Sequence, residues 1–434
     1  MNMILRSLIG LVVVAVLGIG GFLGWASRHG EIAPLAAVPD PKGFDAKLVE
    51  RGEGLAAMGY CTVCHTRADG PPLAGGLGLP TPFGTIYATN ITPDPETGIG
   101  RWSEAAFRRA MHEGIGRDGR HLYPAFPYDH FTRVSDEDIG AIYAYLMTRK
   151  PVRYTAPANE LGFPFGIRHL IAGWNLLFFE SGRFVPDPGR DAAWNRGAYL
   201  AEGLAHCGSC HTPRNALGGL VKGRRFAGAV IEGWHGTALN DQSPAPVPWT
   251  EETLINYLLD GREPTHGIAA GPMTAVVDLL ADQSDEDIAA IATYVLSFQD
   301  GRKGDGAEAK AFAESRQLAN TPGAAAPALD PSLRPGYAIF VQSCVNCHRK
   351  GERFTPLALT STINGPDPRN VIQILQHGLK PPRASRGFTM PAFAWMSEKE
   401  MADLLRFLRG HFSRNPPWTD LEAAIREVRS ARRH

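Results

Sequence analysis

Charge of one sign is what this sequence most lacks. Its 44 basic and 44 acidic side chains cancel, so no basic surplus argues for nucleic acid. It also lacks any long alternation of valine, isoleucine and threonine, and no large sheet is expected. No G-x-G-x-x-G opens a strand–helix unit, which removes a Rossmann-type flavin or nicotinamide site. Cysteine is scarce, six in 434 residues, and none is spare. All six fall in three copies of one pattern: Cys61-Thr-Val-Cys64-His65, Cys207-Gly-Ser-Cys210-His211 and Cys344-Val-Asn-Cys347-His348. None is left for an iron–sulfur cluster. Glycine (48) and proline (34) are plentiful, which predicts irregular stretches between short helices. The length calls for two to four domains.

C-x-x-C-H is the attachment signature of c-type haem. Two thiols on one helical turn add to the two vinyl groups, and the next residue presents an imidazole to the iron. A lone C-x-x-C also suits a redox pair, two suit a zinc site, and six exported cysteines suit three disulfides. None of those needs a histidine after the second cysteine every time. The pattern therefore predicts three covalently bound haem c, carried by Cys61, Cys64, Cys207, Cys210, Cys344 and Cys347, with His65, His211 and His348 as axial ligands.

The surroundings repeat as well. ERGEGLAAMGY, NRGAYLAEGLAH and RPGYAIFVQS lie upstream of the three motifs. Downstream, S-x-x-[DE] helix starts stand at Ser135, Ser284 and Ser397, each followed by helical apolar periodicity. The expected fold is mainly α: three tandem cytochrome c domains, at 45–155, 190–300 and 330–411, behind an N-terminal transmembrane helix within 1–30. Linkers are expected at 156–189 and 301–329, and a tail at 412–434. The first linker, with RHLIAGWNLLFF, reads as a packed helix or as a membrane- or partner-facing segment. The basic tail reads as a solvated helix or one lying on anionic lipid.

Leu8 to Ala26 is a run of 19 residues without a charge, enough nearly to span a bilayer at helical rise. A cleaved signal peptide is the rival, with APLAA at 33–37 as the place to cut. The run is longer than a signal core, so an uncleaved anchor is expected in the cell inner membrane, with the chain on the periplasmic side.

Methionine opposite histidine is common on such iron and raises its potential. Met390, 42 residues after His348, and Met273, 62 residues after His211, are the candidates. Met396 is the runner-up in the third module. In the first module the matching place is Phe126, 61 residues after His65, inside LYPAFPYDHF. Phenylalanine cannot ligate iron. His130 turned inward, an open or water-bound iron, and Met111 are the three options.

The chain resembles the membrane-bound three-haem cytochrome c subunits of periplasmic alcohol, gluconate, sorbitol and aldehyde dehydrogenases. The resemblance covers residues 45–411. It rests on the three C-x-x-C-H sites, NITPDPETGIGRW at 90–102, LYPAFPY, FPFGIRHLIAGWNLLFF at 163–179 and MPAF at 390–393. It implies the haem cysteines and histidines above, with Met273 and Met390 as distal ligands. The departure is Phe126, where alcohol dehydrogenase members show LYPAMPY. The form found here, LYPAFPYDHF, looks more like the partners of molybdenum hydroxylases acting on aldehydes or N-heterocycles.

The function so implied is electron transfer from a periplasmic dehydrogenase catalytic subunit to membrane ubiquinone. Molybdopterin plus iron–sulfur subunits are the favoured partner; a quinoprotein or flavoprotein is the other. The chain reads as the electron-transfer subunit of an oxidoreductase complex rather than a catalytic one. The rivals are a multihaem peroxidase and a carrier to a terminal oxidase. Trp174, Phe178 and Phe179 are quinone-facing candidates by composition only.

Overall fold

The computed structural model describes residues 3–302, 306, 309–314, 329–348, 356–385 and 389–430. Much of the 301–329 linker and the end of the tail lie outside the described residues. Contacts divide the chain into two compact units, residues 1–186 with 202–206, and residues 187–201 with 207–434.

The first unit holds α1 (Met3–Ala26), α2 (Ala46–Met58), α3 (Cys61–Cys64), α4 (Glu104–Glu113), α5 (Tyr128–Phe131), α6 (Asp136–Met147) and α7 (Leu170–Phe178). Its antiparallel sheet joins β1 (Gly78–Thr81), β2 (Gly84–Tyr87) and β3 (Glu160–Leu161). The second unit holds α8 (Ala192–Tyr199), α9 (Gly208–His211), α10 (Glu251–Asp260), α11 (Pro272–Leu280), α12 (Asp285–Leu296), α13 (Arg334–Ser343), α14 (Val345–His348), α15 (Arg369–His377), α16 (Glu398–Phe412) and α17 (Leu421–Ser430). Two short hairpins accompany them: β4 (Ala229–Ile231) with β5 (Trp234–Gly236), and β6 (Arg262–Glu263) with β7 (Gly267–Ile268). The protein is mainly helical, and its strands are the short ones a glycine- and proline-rich chain permits.

One packing unit recurs three times. The helix before each C-x-x-C-H crosses the closing helix of its module: α2 on α6, α8 on α12, α13 on α16. A glycine sits at every crossing. A Cβ on Gly52 would stand 2.0 Å from the Ala141 carbonyl oxygen, one on Gly197 1.9 Å from that of Ala290, and one on Gly336 2.0 Å from that of Asp403. Only a hydrogen side chain lets backbones meet this closely. An aromatic or phenolic ring follows four residues on from each carbonyl: Tyr145, Tyr294 and Phe407.

The helix-start signals also hold. Ser135, Ser284 and Ser397 each accept a bond from the third backbone N–H of the closing helix, at Asp138, Asp287 and Glu400. In the third, the Glu400 carboxylate accepts the Ser397 N–H in return, at 2.8 Å. In the first two the acid reaches across the crossing. Arg51 donates to Asp138, and Arg196 grips Asp287 through two bonds of 2.7 and 2.8 Å.

The structure places two segments whose sequence leaves the reading open. Residues 156–186 are tied into the first unit rather than strung free: β3 pairs with β2, Asn159 Oδ1 accepts the Tyr87 N–H at 2.9 Å, and α7 packs on α1. The C-terminal helix α17 is neither solvated all round nor free to lie on lipid. Its apolar face, Leu421, Ile425 and Val428, is buried in the third core. Its acids clasp that core as well, with Glu427 on Arg369 at 2.8 Å and Glu422 on Arg406. The second unit spans two crossings because side-chain amides join their modules: Asn370 donates to His235 O and accepts from His235 N at 2.9 and 2.8 Å, and Gln373 donates to Gly233 O at 2.9 Å.

His112 on α4 gives a pH test. It is 2% exposed, and its Nε2–H donates to the Val134 carbonyl at 3.0 Å. Burial, aided by Arg183 and Arg108 and opposed by Asp136, lowers its pKa to about 4. The unfolded chain takes up a proton near pH 6.5 and the folded one does not until about pH 4, so stability falls as pH drops through that window. The loss is about 2 kcal/mol by pH 4.5. His112→Gln keeps the bond to Val134 without the titration. Its melting temperature is expected to fall less than the wild type's between pH 7 and 4.5, and equal slopes would refute the assignment.

Candidate haem-binding sites

Each C-x-x-C-H lies on a single helical turn that starts where a longer helix ends. Gly59 and Tyr60 close α2, and Tyr60 takes φ 62° to restart the chain into α3. This stagger puts both cysteines and the following histidine on one side of the turn. All six thiols are free of disulfides. Burial pushes Cys61 up to about 12, and Cys210 and Cys344 up to about 11. A catalytic redox pair needs the opposite shift, so these cysteines do not read as a thioredoxin-like centre.

The histidines are oriented as ligands need. His65 Nδ1 lies 2.6 Å from the Thr89 carbonyl oxygen, and His211 Nδ1 lies 2.7 Å from that of Thr237. A carbonyl only accepts, so Nδ1 carries the hydrogen and Nε2 keeps its lone pair for a metal. Burial, offset in part by that bond, lowers both pKa values. Burial lowers His348 as well. These imidazoles are held neutral, the state that binds iron.

A shared frame carries the candidate methionine positions. α4, α10 and α15 each end in a glycine at positive φ, Gly114, Gly261 and Gly378, whose N–H caps the helix. The chain then makes a short antiparallel bridge, Ile115 with His121, Arg262 with Ile268, and Leu379 with Met390. Met273 follows Ile268 by five residues and Phe126 follows His121 by five, so the two occupy one place in the frame. Both are half-buried. Met390 sits within its bridge, half-buried, and packs on the third core; Met396 is inside that core at 2% exposure.

His130 is placed differently. It is 4% exposed, its Nδ1–H donates to the Glu202 carbonyl at 2.9 Å, and its Nε2 is covered with no hydrogen-bond partner among the described residues. Met111 is likewise covered at 3%. By contrast His65, His211, Met273, Met390 and Phe126 are all half-buried.

Two sets of residues escaped the sequence reading. The crossing glycines were legible in ERG, NRG and RPG, one per upstream segment, but only the backbone contact shows their purpose. His206 gave no signal. It packs edge-on against Tyr60 and Phe131 at 6.4 and 5.6 Å, beside His130 at 6.3 Å, and burial lowers its pKa to about 4.

Paired thiols on a turn followed by a neutral, carbonyl-oriented imidazole, inside crossed helices, fit covalently attached haem c. The fold and sites define a c-type cytochrome. The chain matches the cytochrome c family over residues 49–150 and the family of cytochrome c oxidase, cbb3-type, subunit III over residues 331–408. It is 44% identical to a nicotinate dehydrogenase subunit of Pseudomonas putida over 98% of its own length, but spans only 35% of that relative. It is 38% identical to the gluconate 2-dehydrogenase cytochrome c subunit of Pantoea cypripedii, over 86% of this chain and 88% of the relative. It is 33% identical to the fructose dehydrogenase cytochrome subunit of Gluconobacter japonicus, over 90% and 85%. The chain belongs to the family of dehydrogenase cytochrome c subunits.

Proposed function

We propose that the protein is a three-haem electron conduit between a periplasmic dehydrogenase and membrane ubiquinone. The threefold recurrence of one unit, a glycine-crossed helix pair with C-x-x-C-H between its members, carries this reading, because it supplies three sites of one kind in tandem cytochrome c domains. Cys61 and Cys64, Cys207 and Cys210, and Cys344 and Cys347 hold the haems, which supply one-electron redox chemistry. His65, His211 and His348 are the proximal ligands. The Thr89 and Thr237 carbonyls fix the tautomer and aim of the first two. Met273 and Met390 are the distal ligands of the second and third sites. The first site is read as open on its distal side because Phe126, which has no donor atom, fills the methionine place; His130 is the alternative ligand.

The anchor is retained. Cleavage in 33–37 would remove backbone that the first unit uses: Ile32 N–H to Arg117 O and Leu35 N–H to Arg101 O, both 2.9 Å, and the Gly30 carbonyl held by Arg109 at 2.9 Å. Similarity to a nicotinate dehydrogenase subunit, together with LYPAFPYDHF, favours a molybdopterin hydroxylase of N-heterocycles or aldehydes as the partner. The gluconate and fructose relatives keep a flavoprotein or quinoprotein as the second reading.

Mild detergent extraction of the tagged chain tests all of this at once. The intact mass should equal the full chain from its N-terminus plus three haems, and a stoichiometric dehydrogenase should accompany it and reduce a ubiquinone analogue. A mass short of the first 30 or so residues would remove the anchor, and a complex unable to reduce quinone would remove that acceptor.

A further inference from the structure

We propose that α7 is a second membrane element, an interfacial helix lying in the outer-leaflet boundary beside α1; this rests on the retained anchor proposed above. The segment from 163 to 177 exposes an unusual amount of apolar surface. Phe163 is 89% exposed, Leu176 69%, Leu177 68%, and Ile167 and Leu170 each 42%. Surface of this kind in one stretch marks an interaction site rather than ordinary exposure.

Its depth comes from α1. The apolar span Ser7–Ala26 is exposed up to its last turn, where Phe22 meets α7 and Ala26 is buried. Trp25 lies at its end, with the Arg28 guanidinium 4.6 Å over the ring. An aromatic beside a cation at the close of a span sets the headgroup level. Gly173 of α7 faces Phe22, with only 3.7 Å from a Cβ at that glycine to the Phe22 ring. Phe22 is four residues inside Ala26, roughly 6 Å deeper at helical rise. Interfacial helices sit about 5–10 Å into the boundary. A protein partner covering Leu176 and Leu177 would have to enter the bilayer to reach them, which favours lipid as the occupant.

The polar groups are arranged to match. Arg28, Arg168 and His169 stand at the ends of the two helices, as cations do among anionic headgroups. Arg168 is held there by a 2.8 Å bond to the His121 carbonyl and by the Tyr123 ring 4.7 Å away. The other side of α7 is locked to the unit: Ala172 is 1% exposed, Asn175 Oδ1 accepts the Tyr128 hydroxyl at 2.7 Å, and Phe179 packs edge-on to Tyr128 at 5.2 Å. Lipid insertion of α7 thus fixes the LYPAFPYDHF loop at the membrane surface.

Spin labels on Leu177→Cys, Leu17→Cys and Lys47→Cys in the haem-loaded full chain test this in vesicles of phosphatidylethanolamine and phosphatidylglycerol. Oxygen is expected to relax the label at 177 more than a water-soluble nickel chelate does, as at 17 and opposite to 47. A label at 177 that behaves like 47, or is shielded from both reagents, overturns the proposal while leaving the anchor intact. If 17 also behaves like 47, the anchor reading fails with it. The unmutated chain gives an independent readout: an acyl-chain photoprobe should mark the peptide containing 170–178 along with α1, and marking of α1 alone again overturns the proposal.

Discussion

Carbon monoxide is expected to bind rapidly to one haem in three of the reduced protein, and Phe126→Met is expected to abolish that binding. The frame around the first site is the frame of the second: a positive-φ glycine cap, a short antiparallel bridge, and the distal residue five positions on. In the second site that residue is Met273. In the first it is Phe126, whose ring contacts Tyr128 and Phe131 at 6.4 and 5.4 Å and has no donor to offer. His130, with Nδ1–H on the Glu202 carbonyl and no hydrogen-bond partner for Nε2 among the described residues, is the alternative ligand, and its alanine variant decides between it and an open iron. With an open iron, His130→Ala leaves the oxidised and reduced spectra unchanged, while Phe126→Met converts a high-spin signal to a histidine–methionine one of higher potential. If His130→Ala instead creates the carbon monoxide site, His130 is the ligand. An open iron also bears on the rival peroxidase reading. Turnover of hydrogen peroxide with a reduced donor, lost in Phe126→Met, would move the protein into that class.

Much of this was legible in the residues because the haem motif binds chemistry to spacing. Six cysteines with no remainder, a histidine after every pair, and Ser135, Ser284 and Ser397 opening the closing helices all reappear as local structure. Those signals are short-range: a turn, a cap, an i to i+3 bond. What stayed hidden depends on distant parts of the chain meeting. The burial of His130 comes from Glu202, 72 positions away. The docking of α17 comes from Arg369 and Arg406 on other helices, and no basic-helix pattern distinguishes that partner from lipid. Asp138 and Asp287 look like capping-box acids in sequence, yet their carboxylates serve Arg51 and Arg196 across the crossing.

Gly197→Ala is expected to destabilise the second module by about 3 kcal/mol or more and to reduce its haem loading. Helix propensity alone predicts the reverse. Gly197 lies inside α8, where alanine is better by about 1 kcal/mol. The added Cβ, however, would stand 1.9 Å from the Ala290 carbonyl oxygen and 2.8 Å from the Tyr294 Cβ. Neither is the end of a flexible chain. The helices must part by more than an ångström, and Tyr294 must leave its packing with Trp194 and Phe226 at 5.0 and 6.3 Å. α8 leads to Cys207 and His211, so parting the helices also shifts the motif from which the haem is held. Gly52→Ala and Gly336→Ala should act alike, through Ala141 and Asp403. Gly223→Ala is the control, because nothing lies within 4 Å of a Cβ there; a change within about 0.5 kcal/mol is expected. The readouts are the denaturant midpoint and the intact mass, which counts haems per chain. A Gly197→Ala chain with three haems and a raised midpoint would show that propensity wins and that the crossing is looser than its backbone contact implies.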